Sequence, residues 1–241
     1  MRMITFVLRV RVLKIALGLF VLAHSSPLLA QSAATLNAGA GATGEILAFG
    51  DSITYGVGDG SGPGDFVVVI DDAGQPRGYP LRLSSALGSG VINAGVPGEL
   101  LSTSGVDRFP GVLLGSGAQS VIVLEGSNDA VQRTDSTEYR FALQKIINVT
   151  RAEGKRIVVS TLPPPTGDRV SLLPFTNLYS NIVRDLALVN NIALADVEQR
   201  FISACPIMEE CSLYNLPEGL HPNSAGYDAI SEVMQAALAG N

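Results

Sequence analysis

Two hydrophobic patterns alternate along this chain. Five short apolar runs fall at 45–50 (EILAFG), 90–95 (GVINAG), 120–126 (SVIVLEG), 156–161 (RIVVST) and, more weakly, 192–197 (IALADV). They are β-branched or alanine-rich, and most are bounded by Gly, Pro or Asn, which marks buried strands. Continuously apolar strands suit a parallel sheet covered on both faces. Between them the spacing turns helical. Residues 139–154 place Phe141, Leu143, Ile146, Ile147 and Thr150 near the i, i+3, i+4 positions, with Gly154 as a stop. Residues 174–191 form a second such stretch. A third, 223–238, has Asn223 or Ser224 as its cap and Ile230, Val233, Met234 and Ala237 on one stripe. Alternating strand and helix predicts an α/β fold, a three-layer α/β/α sandwich around a parallel sheet, in a single domain over 45–241 without internal repeats.

Residues 56–78 break the pattern. GVGDGSGPGD is turn-rich, and FVVVIDDAGQPRG reads as a β-hairpin with its turn near Asp72–Gly74. Open α/β sheets bind ligands outside the carboxyl ends of their strands. An excursion directly after the first strand therefore either walls that crevice or decorates the surface.

The first thirty residues stand apart. Arg2, Arg9, Arg11 and Lys14 make a basic start, an apolar run covers 15–23, and HSSPLLA ends in a small residue. This is the layout of a signal peptide cleaved near Ala30, and the apolar run is much shorter than the roughly 20 residues of a bilayer span. A periplasmic or secreted protein with no stable membrane span is expected. Residues 31–44 are small and polar, a flexible lead-in. Their G-x-G-x-x-G (Gly39, Gly41, Gly44) precedes the first strand, whereas a dinucleotide loop must follow one. The sequon at Asn148 lies inside a helical pattern and is read as chance.

Without the leader 211 residues remain, enough for a sizeable core. The leader holds four of the 16 basic residues and none of the 22 acidic ones, so the remainder is ten charges negative. Such a chain repels phosphate backbones, and no nucleic-acid partner is expected. Cys205 and Cys211, the only cysteines, stand close together and read as a local disulfide in an oxidising compartment. No metal site is expected, because too few Cys and His lie nearby for zinc.

The candidate chemistry starts from Ser52, which follows the first strand in FGDSIT. A serine hydroxyl needs a base. His24 leaves with the leader, so His221, in PEGLHPNSAGY, is the one imidazole left. Glu218, three residues upstream, is placed to hold Nδ1–H and leave Nε2 for a nucleophile. Oxyanion donors are offered by two strand-end loops, NAGVPGE with Gly95 and EGSNDA with Asn128.

FGDSIT, NAGVPG, EGSND and EGLHPN, in that order, resemble the four blocks of the SGNH (GDSL-type) hydrolase family over nearly the whole mature chain. The resemblance implies a flavodoxin-like sandwich and an esterase, lipase or carbohydrate-deacetylase activity without metal or organic cofactor. Its substrates would be small-molecule, lipid or acylated-carbohydrate esters. Carried over by position, Ser52 matches the family's nucleophile and His221 its base. The N–H groups of Ser52 and Gly95 and the Asn128 side chain match its oxyanion donors. Asp51 and Asp129 match residues that support the loops. One position departs: the family has Asp where this chain has Glu218. That change and the insertion after Ser52 keep open an inactive glycan- or lipid-binding protein on the same scaffold, and an acyltransferase is a further alternative. Tyr55, Phe66 and Tyr79 are candidates either for a pocket lining or for the core.

Overall fold

The computed structural model describes residues 45–60, 68–71 and 74–240. The expected leader (1–30), the lead-in 31–44 and Phe66 lie outside them. Five parallel strands form one sheet: β1 (Ile46–Gly50), β2 (Val91–Gly95), β3 (Ser120–Leu124), β4 (Arg156–Ser160) and β5 (Ala193–Ala195), in the order β2-β1-β3-β4-β5. All ladders run in parallel register, from Ile46 opposite both Val91 and Ser120 to Gly50 opposite both Gly95 and Leu124. β1 and β3 are buried at every residue, which explains why their sequences are apolar apart from Ser120. The edge strand β2 is only half-buried.

Among the described residues are eight α-helices, six between the strands and two after the last: α1 (Ser52–Tyr55), α2 (Tyr79–Leu87), α3 (Val106–Ser116), α4 (Ser127–Gln132), α5 (Ser136–Ala152), α6 (Leu173–Asn190), α7 (Val197–Ala204) and α8 (Ser224–Ala239). Helices α2, α8 and α7 pack side by side, as do α3, α5 and α6, giving the helical layers of the sandwich. The α5 stripe keeps Leu143, Ile146, Ile147 and Thr150 and departs from its expected form at Phe141. Asp135 caps the helix by accepting from the Thr137 N–H at 2.7 Å. Tyr139, Ala142, Leu143, Ile146, Ile147 and Thr150 then face inward, leaving Phe141 69% exposed. In α8 the cap is Asn223, whose Oδ1 accepts from the Gly226 N–H. Among the described residues no helix is long and apolar enough to cross a membrane.

The excursion after β1 has two parts with different roles. Val69–Arg77 is the expected hairpin: Arg77 N–H donates to Val69 O and Asp71 N–H to Gln75 O. Residues 56–60 instead turn back into the domain. Asp59 is fully buried there and accepts from the Gly78 N–H at 2.7 Å, the Ser224 hydroxyl at 2.7 Å and the Arg82 guanidinium at 3.0 Å. One carboxylate thus joins the excursion to α2 and α8. Removing the cation from a buried pair leaves an uncompensated charge. Arg82→Met should lower unfolding free energy by about 2 kcal/mol, less than for a fully buried pair because Arg82 is partly exposed. Urea denaturation measures this.

Candidate active site

In the order β2-β1-β3-β4-β5 the chain moves to one side of β1 and then returns to the other. The crevice opened by that reversal lies at the carboxyl ends of β1 and β3. Ser52 follows the first of these ends and Asn128 the second.

Asp51 sets the geometry of both loops. Its Oδ1 accepts from the Ile53 N–H at 2.9 Å and caps α1, while Oδ2 accepts from the Ser127 N–H at 3.2 Å. Ser52 is therefore the first residue of a helical turn, with its Oγ 3.0 Å from His221 Nε2. Burial pushes the Asp51 carboxyl up to about 6, against the Ile53 N–H, His221 and the Ser127 N–H, which all favour its charge.

His221 reaches this point on a tightly bonded loop. Asn215 N–H donates to His221 O at 3.1 Å, and Asn215 Nδ2 donates to Gly58 O and Pro222 O. The excursion after β1 thus backs the histidine loop, and Tyr227 OH on α8 donates to Val57 O at 2.7 Å. Glu218 Oε1 lies 3.3 Å from His221 Nδ1, long for a hydrogen bond but within ion-pair range. Its Oε2 folds back to accept from the N–H groups of Leu220 (2.9 Å) and His221 (2.8 Å). The extra methylene of Glu over Asp is absorbed by this return into its own loop. Burial pushes the Glu218 carboxyl up, but the His221 ring and the two N–H groups outweigh it and hold it below the ordinary glutamate range.

On the oxyanion side the expected residues part company. Asn128 Nδ2 donates to Glu99 O at 3.0 Å, which fixes the amide through one of its two N–H groups. Gly95 does something else. Its N–H donates to Asn93 Oδ1 at 3.0 Å, and a methyl group there would lie 2.2 Å from Tyr55 N. This glycine lets α1 press against β2, and its N–H is already engaged by the Asn93 side chain. Further round the turn, Val96 N–H donates to Gly50 O and Glu99 N–H to Val96 O, and Pro97 has no N–H. Gly98 (φ 83°) is exposed and faces open space. Asp129 is fully buried and accepts from Leu101 N–H (2.8 Å) and Ser102 N–H (3.1 Å), supporting the π-helical turn Leu101–Gly105. Tyr79 is fully buried, its hydroxyl 3.2 Å from Thr54 Oγ1, and belongs to the core rather than a pocket.

Several residues of this region escape motif reading. Asn93 ties β2 to α1, donating to Tyr55 O as well as accepting from Gly95. Arg108 pairs with Glu99 (Nε to Oε1 2.8 Å), donates to Ala94 O and lies 4.3 Å over the Phe49 ring. Glu125, at the end of β3, is 2% exposed. Burial first, then the charges of Asp51, Glu99 and Asp129, push its carboxyl well above the usual range, with Arg108 acting the other way. The available signal was a single charge closing an otherwise apolar strand, since acids are almost never fully buried without a partner.

The chain matches the model of the GDSL-like lipase/acylhydrolase family over residues 48–229. It belongs to that family and is a carboxylic ester hydrolase. No curated protein matches it. Its fold is similar to that of Axe2, an acetyl xylan esterase from Geobacillus stearothermophilus, with 21% identity, a TM-score of 0.65, and 82% of this chain and 95% of that one covered. LAE5, an α/β hydrolase from the metagenome of Lake Arreo, Spain, gives 21% identity and a TM-score of 0.67, covering 82% and 96%. A putative lipolytic protein of the G-D-S-L family from Desulfitobacterium hafniense gives 16% and 0.65, covering 80% and 98%.

Burial raises the Glu125 carboxyl above its unfolded value of about 4.5, so its contribution to stability is lost as pH rises above that value. Glu125→Gln removes that contribution and leaves the one from Asp51. Its urea midpoint should gain on that of the wild type as pH is raised from about 4.5 toward neutral. A constant difference across that range would contradict the assignment.

Proposed function

We propose that this protein is an exported serine esterase that works through an acyl-enzyme. The observation that carries the reading is the line from Ser52 Oγ to His221 Nε2 (3.0 Å) and from His221 Nδ1 to Glu218 Oε1 (3.3 Å). Ser52 Oγ attacks the ester carbonyl carbon as its proton passes to His221 Nε2, and the ionised Glu218 stabilises the imidazolium. The developing oxyanion is taken up by the N–H groups of Ser52 and Gly98 and by Asn128 Nδ2. Gly98 replaces Gly95 because the Gly95 N–H is engaged by Asn93. His221 then protonates the leaving alcohol and activates water against the acyl-enzyme, restoring Ser52.

Export is supported by the basic and apolar leader and by the Cys205–Cys211 disulfide, a bond of oxidising compartments. The acetyl xylan esterase among the similar folds makes acetylated sugars the first substrate class to compare with simple acyl esters.

Ser52→Ala should abolish both hydrolysis of a short p-nitrophenyl ester and labelling by a serine-directed phosphonate. Labelling that persists at another residue would mean the nucleophile lies elsewhere. Asn128→Ala should lower kcat by roughly 10²–10³, the usual effect of losing one oxyanion donor. Activity within twofold of the wild type would remove Asn128 from the hole.

A further inference from the structure

The chain after β4 is fastened to the loop that carries the histidine. Thr166 N–H donates to Gly219 O at 2.8 Å and Asp168 N–H to Pro217 O at 2.8 Å. The backbones run so close that a methyl group on Gly167 would lie 2.2 Å from Pro217 O, and one on Gly219 would lie 2.1 Å from Thr166 O. On its other side the same chain is held by the disulfide loop. Thr166 Oγ1 donates to Met208 O at 2.6 Å, between Cys205 and Cys211, and Tyr214 OH donates to Pro164 O at 2.5 Å.

This double fastening delivers Arg169, in the 3-10 turn Gly167–Leu172, to the catalytic acid. Its Nε lies 3.7 Å from Glu218 Oε1, the oxygen that faces His221 Nδ1. The second carboxylate oxygen is already bonded to two backbone N–H groups. Imidazole and guanidinium therefore share one oxygen.

We propose that Arg169 is a positioning residue for ester hydrolysis, acting through Glu218 to hold its Oε1 in place and to weaken that oxygen's pull on the histidine proton. The proposal rests on the reading of Ser52, His221 and Glu218 as a catalytic triad. It also gives the Glu-for-Asp departure a physical sense. Glutamate has one more rotatable bond than aspartate, and the guanidinium restrains the freedom that bond adds. A cation beside the acid offsets part of its negative charge, so the imidazolium is less favoured than beside an isolated carboxylate. Among the described residues, the groups that also face the pair include the Ser52 hydroxyl and Asp51, from the β1–α1 junction, and Tyr214. None of them changes when Arg169 is replaced.

The test is the pH dependence of kcat/KM with a short p-nitrophenyl ester for wild type, Arg169→Ala, Arg169→Lys, Glu218→Gln and the Arg169→Ala/Glu218→Gln double variant. Losing the guanidinium should move the acid limb up by about half a unit to one unit, as expected for one partly exposed charge. On the limb itself kcat/KM then falls roughly 3- to 10-fold. Arg169→Lys should restore at least half of the shift. In the Glu218→Gln background the same replacement should move the limb by less than a third as much. An unmoved limb in Arg169→Ala, or an equal shift without the Glu218 carboxylate, overturns the role assigned to Arg169 while leaving the hydrolase reading intact. A wild type that neither hydrolyses the ester nor labels at Ser52 overturns both.

Discussion

The site depends on one carboxylate accepting two backbone N–H groups from different parts of the chain. Through Oδ1, Asp51 starts the helical turn that presents Ser52, and through Oδ2 it holds the loop that presents Asn128. The two loops are neighbours because β1 and β3 are, and β1 and β3 are neighbours because the strand order reverses at β1. Serine and asparagine are therefore placed relative to each other by rigid, buried elements. Burial strengthens this clasp and also opposes the charge that makes it. The backbone donors keep the balance workable.

Histidine and its acid are built on a different plan. They come from a loop with little regular structure, stiffened by backbone bonds to Asn215, Thr166 and Asp168 and backed by the excursion after β1. Glu218 holds its place by bending into its own loop, so the longer side chain reaches the imidazole without moving the backbone outward. The buried Asp59 closes the arrangement from behind by tying that excursion to α2 and α8.

Much of this could be read from the sequence where the physics is local or repetitive. β1 and β3 are covered on both faces, so apart from Ser120 they carry no polar side chain, and the long helices α5, α6 and α8 carry enough turns for a stripe to stand out. Helix α3 was hidden because Pro110, Gly111 and Gly115 resemble loop chemistry; burial of Val106, Phe109 and Leu113 overrides those local preferences. Ser52, Asn128, Asp51, Asp129 and His221 sit where their motifs place them. The bond from Gly95 N–H to Asn93 could not be read in this way, since residue order cannot tell which glycine of a turn has its N–H engaged by a neighbouring side chain. The contact of Arg169 with Glu218 joins residues 49 apart and has no linear signature.

The bonds of Asn215 to Gly58 and of Tyr227 to Val57 carry a consequence for synthesis. Ser52 and His221 are separated by 169 positions, and the imidazole is seated beside the serine only when the last loop and helix dock against the first turn of the domain. A nascent chain, or one threaded unfolded through a translocation pore, has its serine but no base beside it. On the proposed mechanism, esterase activity begins only when folding is complete, wherever that takes place.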